Sequence, residues 1–237
     1  MKHHSPLQQE GGNVPALTAS RTAAEHPAID SDAHEEGMGY RLSRRAFDLF
    51  FGLLILLLVA PVAPFLALMI RLDSPGPVLY RQTRVGRRGR TFVFYKFRSM
   101  YSGADRRLEE LAAFNEQAGP IFKMREDPRI TMVGRFLRRS SLDEIPQILN
   151  VLKGDMSIVG PRPALPAEVA KYEPWQRRRL DAKPGLTCLW QISGRSHIAF
   201  DEWMRLDLEY LRTRSLWTDL VILAKTVPAV MARRGAY

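Results

Sequence analysis

The chain is poor in cysteine, with Cys188 as the only one among 237 residues. A single cysteine excludes a disulfide within the chain and is typical of a reducing compartment. By itself Cys188 is expected to be a small core residue rather than a nucleophile. At this length we expect one globular domain with additional segments.

The first forty residues lack a long apolar run, which excludes a secretory signal sequence. They are rich in Pro, Gly, Ser, Ala and acidic residues, a composition that predicts a disordered tail over residues 1–40. This tail holds six acidic and two basic side chains, which leaves 19 acidic and 33 basic ones, or +14, in the rest. A field of that sign favours anionic partners, and phospholipid, nucleotide and nucleic acid all remain open.

Charge is also absent from Leu49 to Ile70, where 22 residues as one helix would reach about 33 Å, enough to span a bilayer core. However, Pro61 and Pro64 interrupt the segment, and each removes a helical hydrogen bond. Arginines flank both ends, so the positive-inside bias would hold both ends in the cytoplasm. Two alternatives remain, namely a kinked spanning helix and a helix that enters one leaflet, breaks after Ala60 and returns.

Two segments rich in β-branched and aromatic residues, 78–85 and 90–100, flank a connection with two glycines and predict a β-hairpin. In the second arm Lys96 and Arg98 share one face by strand alternation. This basic face could bind nucleic acid, lipid headgroups or a sugar nucleotide, although clustered arginines more often form a solvated surface.

Two later segments predict helices. Apolar residues at helical spacing predict an amphipathic helix over residues 104–117, with core packing as its role. Residues 216–227 are apolar with a tryptophan, and arginines follow them, which favours a helix in the membrane interface or one buried in the protein.

Two adjacent carboxylates, Asp143 and Glu144, begin a short apolar segment that has arginines on both sides. Arginines suit phosphate binding, and an ionised aspartate among them can serve as metal ligand or nucleophile. A helix N-terminus and the arginines would lower the pKa of Asp143. The structural alternative is a helix cap, because Ser141 and Glu144 match a capping box, and Asp143 as N-cap would accommodate Pro146.

The string D-E-I-P-Q from Asp143, with N-V-L-K-G-D-M-S and V-G-P-R-P up to Pro163, resembles the signature of the bacterial sugar transferase family, the monotopic polyprenyl-phosphate phosphoglycosyl transferases. The strings K-F-R-S-M from Lys96 and K-P-G-L-T-C-L-W-Q-I-S-G-R up to Arg195 resemble further family motifs, although Cys188 stands where a glycine is expected. Larger members carry extra N-terminal membrane helices and a further domain, so this chain is expected to be a minimal catalytic unit.

The resemblance implies an α+β, mainly helical fold. Residues 41–72 would form a re-entrant membrane helix broken at Ala60 and Pro61. Residues 73–237 would form a cytosolic catalytic domain with a β-hairpin and interfacial amphipathic helices. The implied location is the cytoplasmic face of the bacterial inner membrane. Membrane lipid is an expected partner, nucleic acid is not, and a homodimer stays open.

The implied reaction transfers a hexose 1-phosphate from a UDP-sugar to undecaprenyl phosphate, releases UMP and starts exopolysaccharide or other surface-glycan assembly. UDP-glucose or UDP-galactose is favoured over a UDP-N-acetylhexosamine. Asp143 would form a covalent phospho-sugar intermediate, and Asp143 with Glu144 would hold Mg²⁺. The expected substrate ligands are Lys96, Arg98, Arg138, Arg139, Arg162, Arg195 and Asp207.

The rival function is that of a non-catalytic basic protein that docks on membrane or nucleic acid. It accounts for the positive charge and for the apolar segment. It does not account for Asp143 and Glu144 among arginines, and the sequence therefore favours the enzyme.

Overall fold

The computed structural model describes residues 37–116, 119–193 and 198–231. Most of the predicted tail and Arg195 lie outside these residues. The described part is mainly helical and contains two small sheets, which confirms the predicted α+β class.

The apolar segment forms two helices, α1 (Met38–Val59) and α2 (Ala63–Asp73), which meet at a bend of 61°. The break falls at the predicted residues, because α1 ends before Ala60 and Pro64 lies in the first turn of α2, where proline costs no hydrogen bond. Among the described residues no single helix is both long and apolar enough to cross a bilayer. The bent pair passes that test by length and composition.

One face of α1 is apolar and exposed, and Phe50 and Leu57 keep 65% and 64% of their surface accessible. The opposite face packs on the rest of the chain. There Gly52 permits close approach, because a Cβ at this position would lie 3.0 Å from Leu152. The helix is therefore attached along one side and leaves the other side apolar and uncovered by the described residues.

Polar side chains attach α1 at the level of its second and third turns. Arg44 donates to the Val159 carbonyl at 2.7 Å and to the Tyr210 hydroxyl at 2.9 Å. The Asp48 carboxylate accepts from the Ser157 hydroxyl at 2.7 Å and from the Ile158 amide at 2.8 Å. Asp219 of the last helix accepts from the Tyr210 hydroxyl at 2.7 Å. We call the set Arg44, Asp48, Ser157, Tyr210 and Asp219 the anchor cluster.

The predicted hairpin is confirmed, with β1 (Leu79–Val85) antiparallel to β2 (Thr91–Phe97). Its connection is tight, and Arg88 and Gly89 adopt positive φ values of 55° and 77°. Strand β2 packs against the segment that carries Asp143 and Glu144.

The predicted helix over residues 104–117 is wrong. In its place the chain forms two 3₁₀ turns, Ala104–Arg107 and Ala112–Phe114. Leu111 is buried, but Leu108 and Phe114 remain 37% and 60% exposed. A short helix is marginal without an apolar face to bury, and here that face finds too little cover.

The remaining elements of the described chain are short except for the last two helices. They are α3 (Met132–Arg139), a 3₁₀ helix (Leu142–Gln147), α4 (Ile148–Lys153), β3 (Ser157–Val159), α5 (Pro166–Ala170), α6 (Pro174–Arg177), a 3₁₀ turn (Arg178–Asp181), β4 (Gly185–Thr187), α7 (Leu189–Ser193), α8 (Phe200–Thr213) and α9 (Leu216–Met231). Strands β3 and β4 pair in parallel, which the sequence did not predict. The two strands approach closely at Gly160 and Gly185, since a Cβ on Gly185 would clash with the Gly160 backbone.

Two buried apolar clusters support the hairpin. Phe94 belongs to a cluster with Ile148 and Val159, and Phe97 belongs to another with Leu66 and Leu137. Lys96 lies between these two phenylalanines on β2, on the face that Phe94 shares and opposite to that of Phe97, and its Nζ lies 5.6 Å from the centre of the Phe94 ring. The core thereby fixes the strand that brings Lys96 to the carboxylates.

Candidate active site

Asp143 and Glu144 lie in the first turn of the 3₁₀ helix Leu142–Gln147. Pro146 has no N–H to donate, and α-helical structure begins only after it, at Ile148. Ser141 precedes the turn with a left-handed φ of 57° and makes no side-chain cap hydrogen bond. Both capping alternatives are therefore wrong, because the Ser141 side chain does not cap and Asp143 lies inside the helix.

Lys96 contacts both carboxylates, although it lies far from them in the sequence. Its Nζ lies 3.7 Å from Asp143 Oδ2 and 3.3 Å from Glu144 Oε1. Arg162, which follows β3, places Nη1 3.5 Å from the same Glu144 oxygen. We call Lys96, Arg138, Asp143, Glu144 and Arg162 the site cluster.

Burial controls the charge of Asp143, which is only 6% exposed. Burial raises the pKa of Asp143 and Glu144 raises it further, although Lys96, Arg138 and Arg162 act in the opposite sense. The expectation of a lowered pKa is therefore wrong, because loss of hydration outweighs the cations. Burial likewise lowers the pKa of Lys96, against the attraction of both carboxylates.

The two neighbouring arginines of α3 have different surroundings. Arg138 lines the same cleft as Asp143 and donates through Nε to the Ser99 hydroxyl at 3.0 Å. Burial lowers the pKa of Arg138, and Asp143 partly offsets this effect. Arg139 is exposed and does not line that cleft. The structure thus places Arg138, but not Arg139, with the carboxylates.

Arg98 forms hydrogen bonds at the C-terminal end of α2. Its guanidinium donates to the carbonyl oxygens of Ile70, Ser74 and Pro75 at 2.6 to 3.1 Å, where α2 ends. These contacts stabilise the carbonyls at the C-terminus of α2. Substrate binding by Arg98 stays a prediction, while its observed bonds are structural.

Asp207 on α8 is also engaged within the protein. Its Oδ2 accepts from Arg179 Nε at 2.8 Å, and Arg179 in turn donates to the Arg162 carbonyl at 2.7 Å. Burial raises the pKa of Asp207 to about 6 in spite of the arginine. Asp207 therefore lies behind the site cluster and supports the backbone of Arg162, and a direct substrate contact stays a prediction.

A cleft of about 1430 Å³ connects these charges with apolar surface. Lys96, Arg138, Asp143, Glu144 and Arg162 line its polar part. Its apolar part includes Ile55 of α1 together with Leu223 and Val230 of α9. This cleft can admit a molecule with a phosphate at one end and a hydrocarbon at the other.

Comparison with known proteins shows which family this chain belongs to. The profile described as bacterial sugar transferase matches residues 39–233. The chain belongs to the bacterial sugar transferase family.

Three relatives give the extent of the likeness. This sugar transferase is 47% identical over 196 residues to the galactosyl transferase CpsE of Streptococcus agalactiae serotype III, covering 82% of the chain and 43% of the relative. It is 44% identical over 201 residues to the undecaprenyl-phosphate galactose phosphotransferase of Salmonella typhimurium, covering 83% and 42%. Identity to the exopolysaccharide production protein ExoY of Sinorhizobium fredii is 40% over 200 residues, covering 83% and 88%. The chain spans less than half the length of the first two relatives and most of the third.

In this sugar transferase the structure adds residues that the sequence did not single out. Arg84 of β1 lines the cleft, and burial together with Arg162 lowers its pKa to about 10. Lys123 also lines it, and burial together with Arg162 lowers its pKa to about 8. Arg84 and Arg162 are far apart in the sequence, and only the fold brings them together.

Proposed function

We propose that this sugar transferase transfers a hexose 1-phosphate from a UDP-sugar to undecaprenyl phosphate, with release of UMP, as the first step of exopolysaccharide or other surface-glycan assembly. The observation that carries the proposal is the buried Asp143 beside the half-buried Glu144, both in contact with Lys96 on a cleft lined by Arg138 and Arg162. Relatives named for undecaprenyl-phosphate and galactose transfer support this substrate class.

In the proposed first step, a carboxylate oxygen of Asp143 attacks the β-phosphorus of the UDP-sugar. The bond between that phosphorus and the bridging oxygen breaks, UMP leaves with the electron pair, and an acyl phosphate that carries the sugar remains on Asp143. A desolvated carboxylate with a raised pKa is the more reactive nucleophile, and Lys96 acts against that rise and so favours the ionised form.

In the second step, an oxygen of undecaprenyl phosphate attacks the same phosphorus, and the bond to Asp143 breaks. This forms the polyprenyl-diphosphate sugar and restores the carboxylate. Two phosphates repel each other, so division into two steps lowers the negative charge present at once. Arg138 and Arg162 are placed to compensate the remaining charge.

Mg²⁺ is the proposed cofactor, and Asp143 and Glu144 are the residues that would hold it. Among the described residues no group of three or more His, Cys, Asp or Glu side chains could hold a metal. Two adjacent carboxylates fit Mg²⁺ nonetheless, because this ion commonly uses one or two carboxylates with substrate phosphates and water. When bound, the ion would neutralise diphosphate charge and stabilise the departing UMP.

For the bent pair α1–α2 we propose a re-entrant anchor at the cytoplasmic face of the bacterial inner membrane. The 61° bend, the exposed apolar face of α1 and the arginines on both flanks support this topology. The apolar part of the cleft would then receive the polyprenyl chain at the depth of the lipid.

Labelling of engineered cysteines at residues 5 and 237 tests the topology, after Cys188 is replaced by Ala. Both should be shielded from a membrane-impermeant reagent in intact cells and react after permeabilisation. Labelling of residue 5 alone from the periplasm would establish a spanning helix. The double variant Pro61→Leu with Pro64→Leu should shift the protein towards that spanning arrangement.

The covalent intermediate tests the mechanism. Incubation with a UDP-sugar and Mg²⁺ without lipid, followed by a rapid acid quench, should release UMP in an amount comparable to the enzyme. A mass increase of one hexose phosphate should appear on the peptide that contains Asp143, and Asp143→Asn is the matched control. If UMP appears only with polyprenyl phosphate and no adduct forms, transfer is direct and Asp143 is a ligand or base.

The non-catalytic rival makes a different prediction for the same experiment. A docking protein would release no UMP with any UDP-sugar, with or without lipid. It would bind anionic vesicles equally well before and after Asp143→Asn.

A further inference from the structure

Arg162 belongs to a segment whose backbone has few N–H groups. It lies between Pro161 and Pro163, and neither proline can donate a hydrogen bond. Pro163 also restricts the backbone of Arg162 to extended conformations. Because donors are scarce here, the position of this backbone depends on the bonds that its carbonyl oxygens accept.

Arginine side chains bond two consecutive carbonyl oxygens of this segment. The Arg162 carbonyl accepts from Arg179 Nη2 at 2.7 Å. The next carbonyl, that of Pro163, accepts from Arg84 Nη1 at 3.1 Å. The shorter of the two bonds is the one to the peptide of Arg162 itself, and hydrogen bonds from a charged donor are among the strong ones. Arg179 is therefore the contact that holds the backbone of Arg162 most directly.

Arg179 is bonded through all three of its side-chain nitrogen atoms. Nε donates to Asp207 Oδ2 at 2.8 Å, Nη1 donates to the Tyr172 hydroxyl at 2.9 Å, and Nη2 donates to the Arg162 carbonyl. The rings of Tyr172 and Trp203 lie 5.8 and 5.7 Å from the guanidinium carbon. Arg179 is only 2% exposed. Although it borders the cleft, its donors are used within the protein, so it is not placed to bind a substrate itself.

The side chain of Arg162 extends from this held backbone into the site cluster. Its Nη1 lies 3.5 Å from Glu144 Oε1, and its charge acts against the rise in the pKa of Asp143. An arginine side chain is long, so a small rotation of its backbone moves the guanidinium much further than the backbone itself. In an active site a displacement of about 1 Å can cost on the order of 10²-fold in rate.

We infer that Arg179 is a positioning residue of the reaction, which fixes the place of the Arg162 guanidinium by holding the Arg162 carbonyl. Tyr172 and Asp207 orient Arg179 in turn. The planar guanidinium meets these acceptors in a fixed geometry, which the flexible ammonium of lysine does not reproduce. The inference rests on the proposed function, in which Arg162 compensates phosphate charge.

A double-mutant cycle separates positioning from a general effect on the fold. UMP release per folded protein is measured for the unmodified enzyme, Arg162→Met, Arg179→Lys and the double variant. Arg162→Met should lower kcat/KM by about 10²-fold. Arg179→Lys keeps a charge beside Asp207 and should lower kcat/KM by about tenfold in the unmodified enzyme, but by less than about twofold in Arg162→Met. Its loss should divide between kcat and KM in the same proportion as that of Arg162→Met, because both variants impair one group.

Tyr172→Phe disturbs the fold less, since it removes one hydroxyl and keeps the ring, and it decides the question if Arg179→Lys does not fold. It should lower kcat/KM by about threefold, and this loss should also vanish in Arg162→Met. Arg44→Lys is the matched control. Arg44 is likewise a buried arginine bonded to a tyrosine hydroxyl and a backbone carbonyl, and its replacement should change kcat/KM per folded protein by no more than about twofold in either background.

Equal losses from Arg179→Lys with and without Arg162 would mean that Arg179 acts on the fold as a whole, and they would overturn the inference. Unchanged kcat/KM in both Arg179→Lys and Tyr172→Phe would also overturn it. So would full activity of folded Arg162→Met, because there would then be no group to position, although the proposed transfer would stand. Release of UMP from no UDP-sugar by the unmodified enzyme would instead refute the proposed function, and the inference with it.

Discussion

The anchor cluster and the site cluster both hold buried charges, but they differ in how closely those charges are bonded. In the anchor cluster, Asp48 accepts hydrogen bonds at 2.7 and 2.8 Å, and Asp219 accepts one at 2.7 Å although its second oxygen lies 3.8 Å from Arg44. Arg44 donates at 2.7 and 2.9 Å. In the site cluster, Lys96 lies 3.3 and 3.7 Å from its two carboxylates. The described residues provide no hydrogen bond within the usual range for Asp143, which meets Lys96 only as a distant ion pair.

The difference distinguishes charged groups that stabilise the fold from charged groups that are available to bind or react with a ligand. One oxygen of Asp48, Oδ1, accepts from a hydroxyl and an amide, so this carboxylate fixes α1 on β3. Asp143 is also buried, with 6% of its surface exposed, but its oxygens are loosely held and burial raises its pKa. A buried, weakly bonded ionisable group on a cleft is typical of a catalytic site.

The substitution Asp143→Asn should have the largest effect and tests the contrast between the two clusters most directly. We expect UMP release to fall by about 10⁴-fold or more, because an amide cannot form the acyl phosphate. The melting temperature should hold or rise, since the raised pKa of Asp143 means that its ionised form is less stable in the fold than in the unfolded chain. Near-normal turnover by a folded protein would refute the nucleophile.

Arg44→Met should show the opposite pattern. Removal of this cation leaves buried carboxylates in the anchor cluster without compensation, which we expect to cost about 3–5 kcal/mol of unfolding free energy. The folded fraction should keep its kcat within about twofold, because Arg44 lies outside the site cluster. Denaturant unfolding in detergent micelles, with activity normalised to folded protein, provides the measurement. A large fall in kcat at unchanged stability would contradict the view that the anchor cluster stabilises the fold without taking part in the reaction.

The adjacent arginines of α3 provide a matched pair. Arg138→Met should lower kcat/KM for the UDP-sugar by roughly 10²-fold, as expected for a cation that stabilises transferred phosphate. Arg139→Met should change it by no more than about twofold, because its side chain is exposed and outside the cleft. Equal effects of the two substitutions would mean that a general positive field, rather than a placed guanidinium, serves the reaction.

The smallest expected effect is a shift of the pH profile. Protonated Asp143 cannot attack, so the first half-reaction should rise with pH through a pKa above the ordinary value of 3.8. Glu144 raises the pKa of Asp143, so Glu144→Gln should move this rise to lower pH, whereas Lys96→Met should move it to higher pH. Stopped-flow UMP release at saturating Mg²⁺ gives the profile. Shifts in the reversed directions would show that the titrating group is not Asp143.

Local patterns predicted the local structure well. The hairpin, the break at Ala60 and the helix over residues 216–227 follow from strand alternation, proline and apolar composition within a few residues. The bacterial sugar transferase family was also correct, because the string from Asp143 to Pro163 is long and specific.

Effects that depend on distant contacts could not be predicted. The pKa of Asp143 was given the wrong direction, because the arginines are visible in sequence while burial is not. Strands β3 and β4 pair because the fold brings residues 157–159 and 185–187 together. A strand of three residues is too short to show the alternation of side chains by which strands are predicted from sequence. Arg98 and Asp207 were grouped with substrate ligands, although their observed partners are a helix end and Arg179.

The contacts that attach α1 to the rest of the chain fix the position of its exposed apolar face relative to Asp143. Arg45 donates to the carbonyl oxygens of Val151 and Leu152 at 2.7 and 2.6 Å, at the end of the helix that directly follows the 3₁₀ helix carrying Asp143. On the proposed topology, the distance from lipid to Asp143 is set by rigid contacts rather than by a tether. One residue inserted between Asp48 and Leu49 would turn the rest of α1 by about 100° and shift it by about 1.5 Å, which would carry Gly52 away from Leu152 and change the position of the apolar face relative to Asp143.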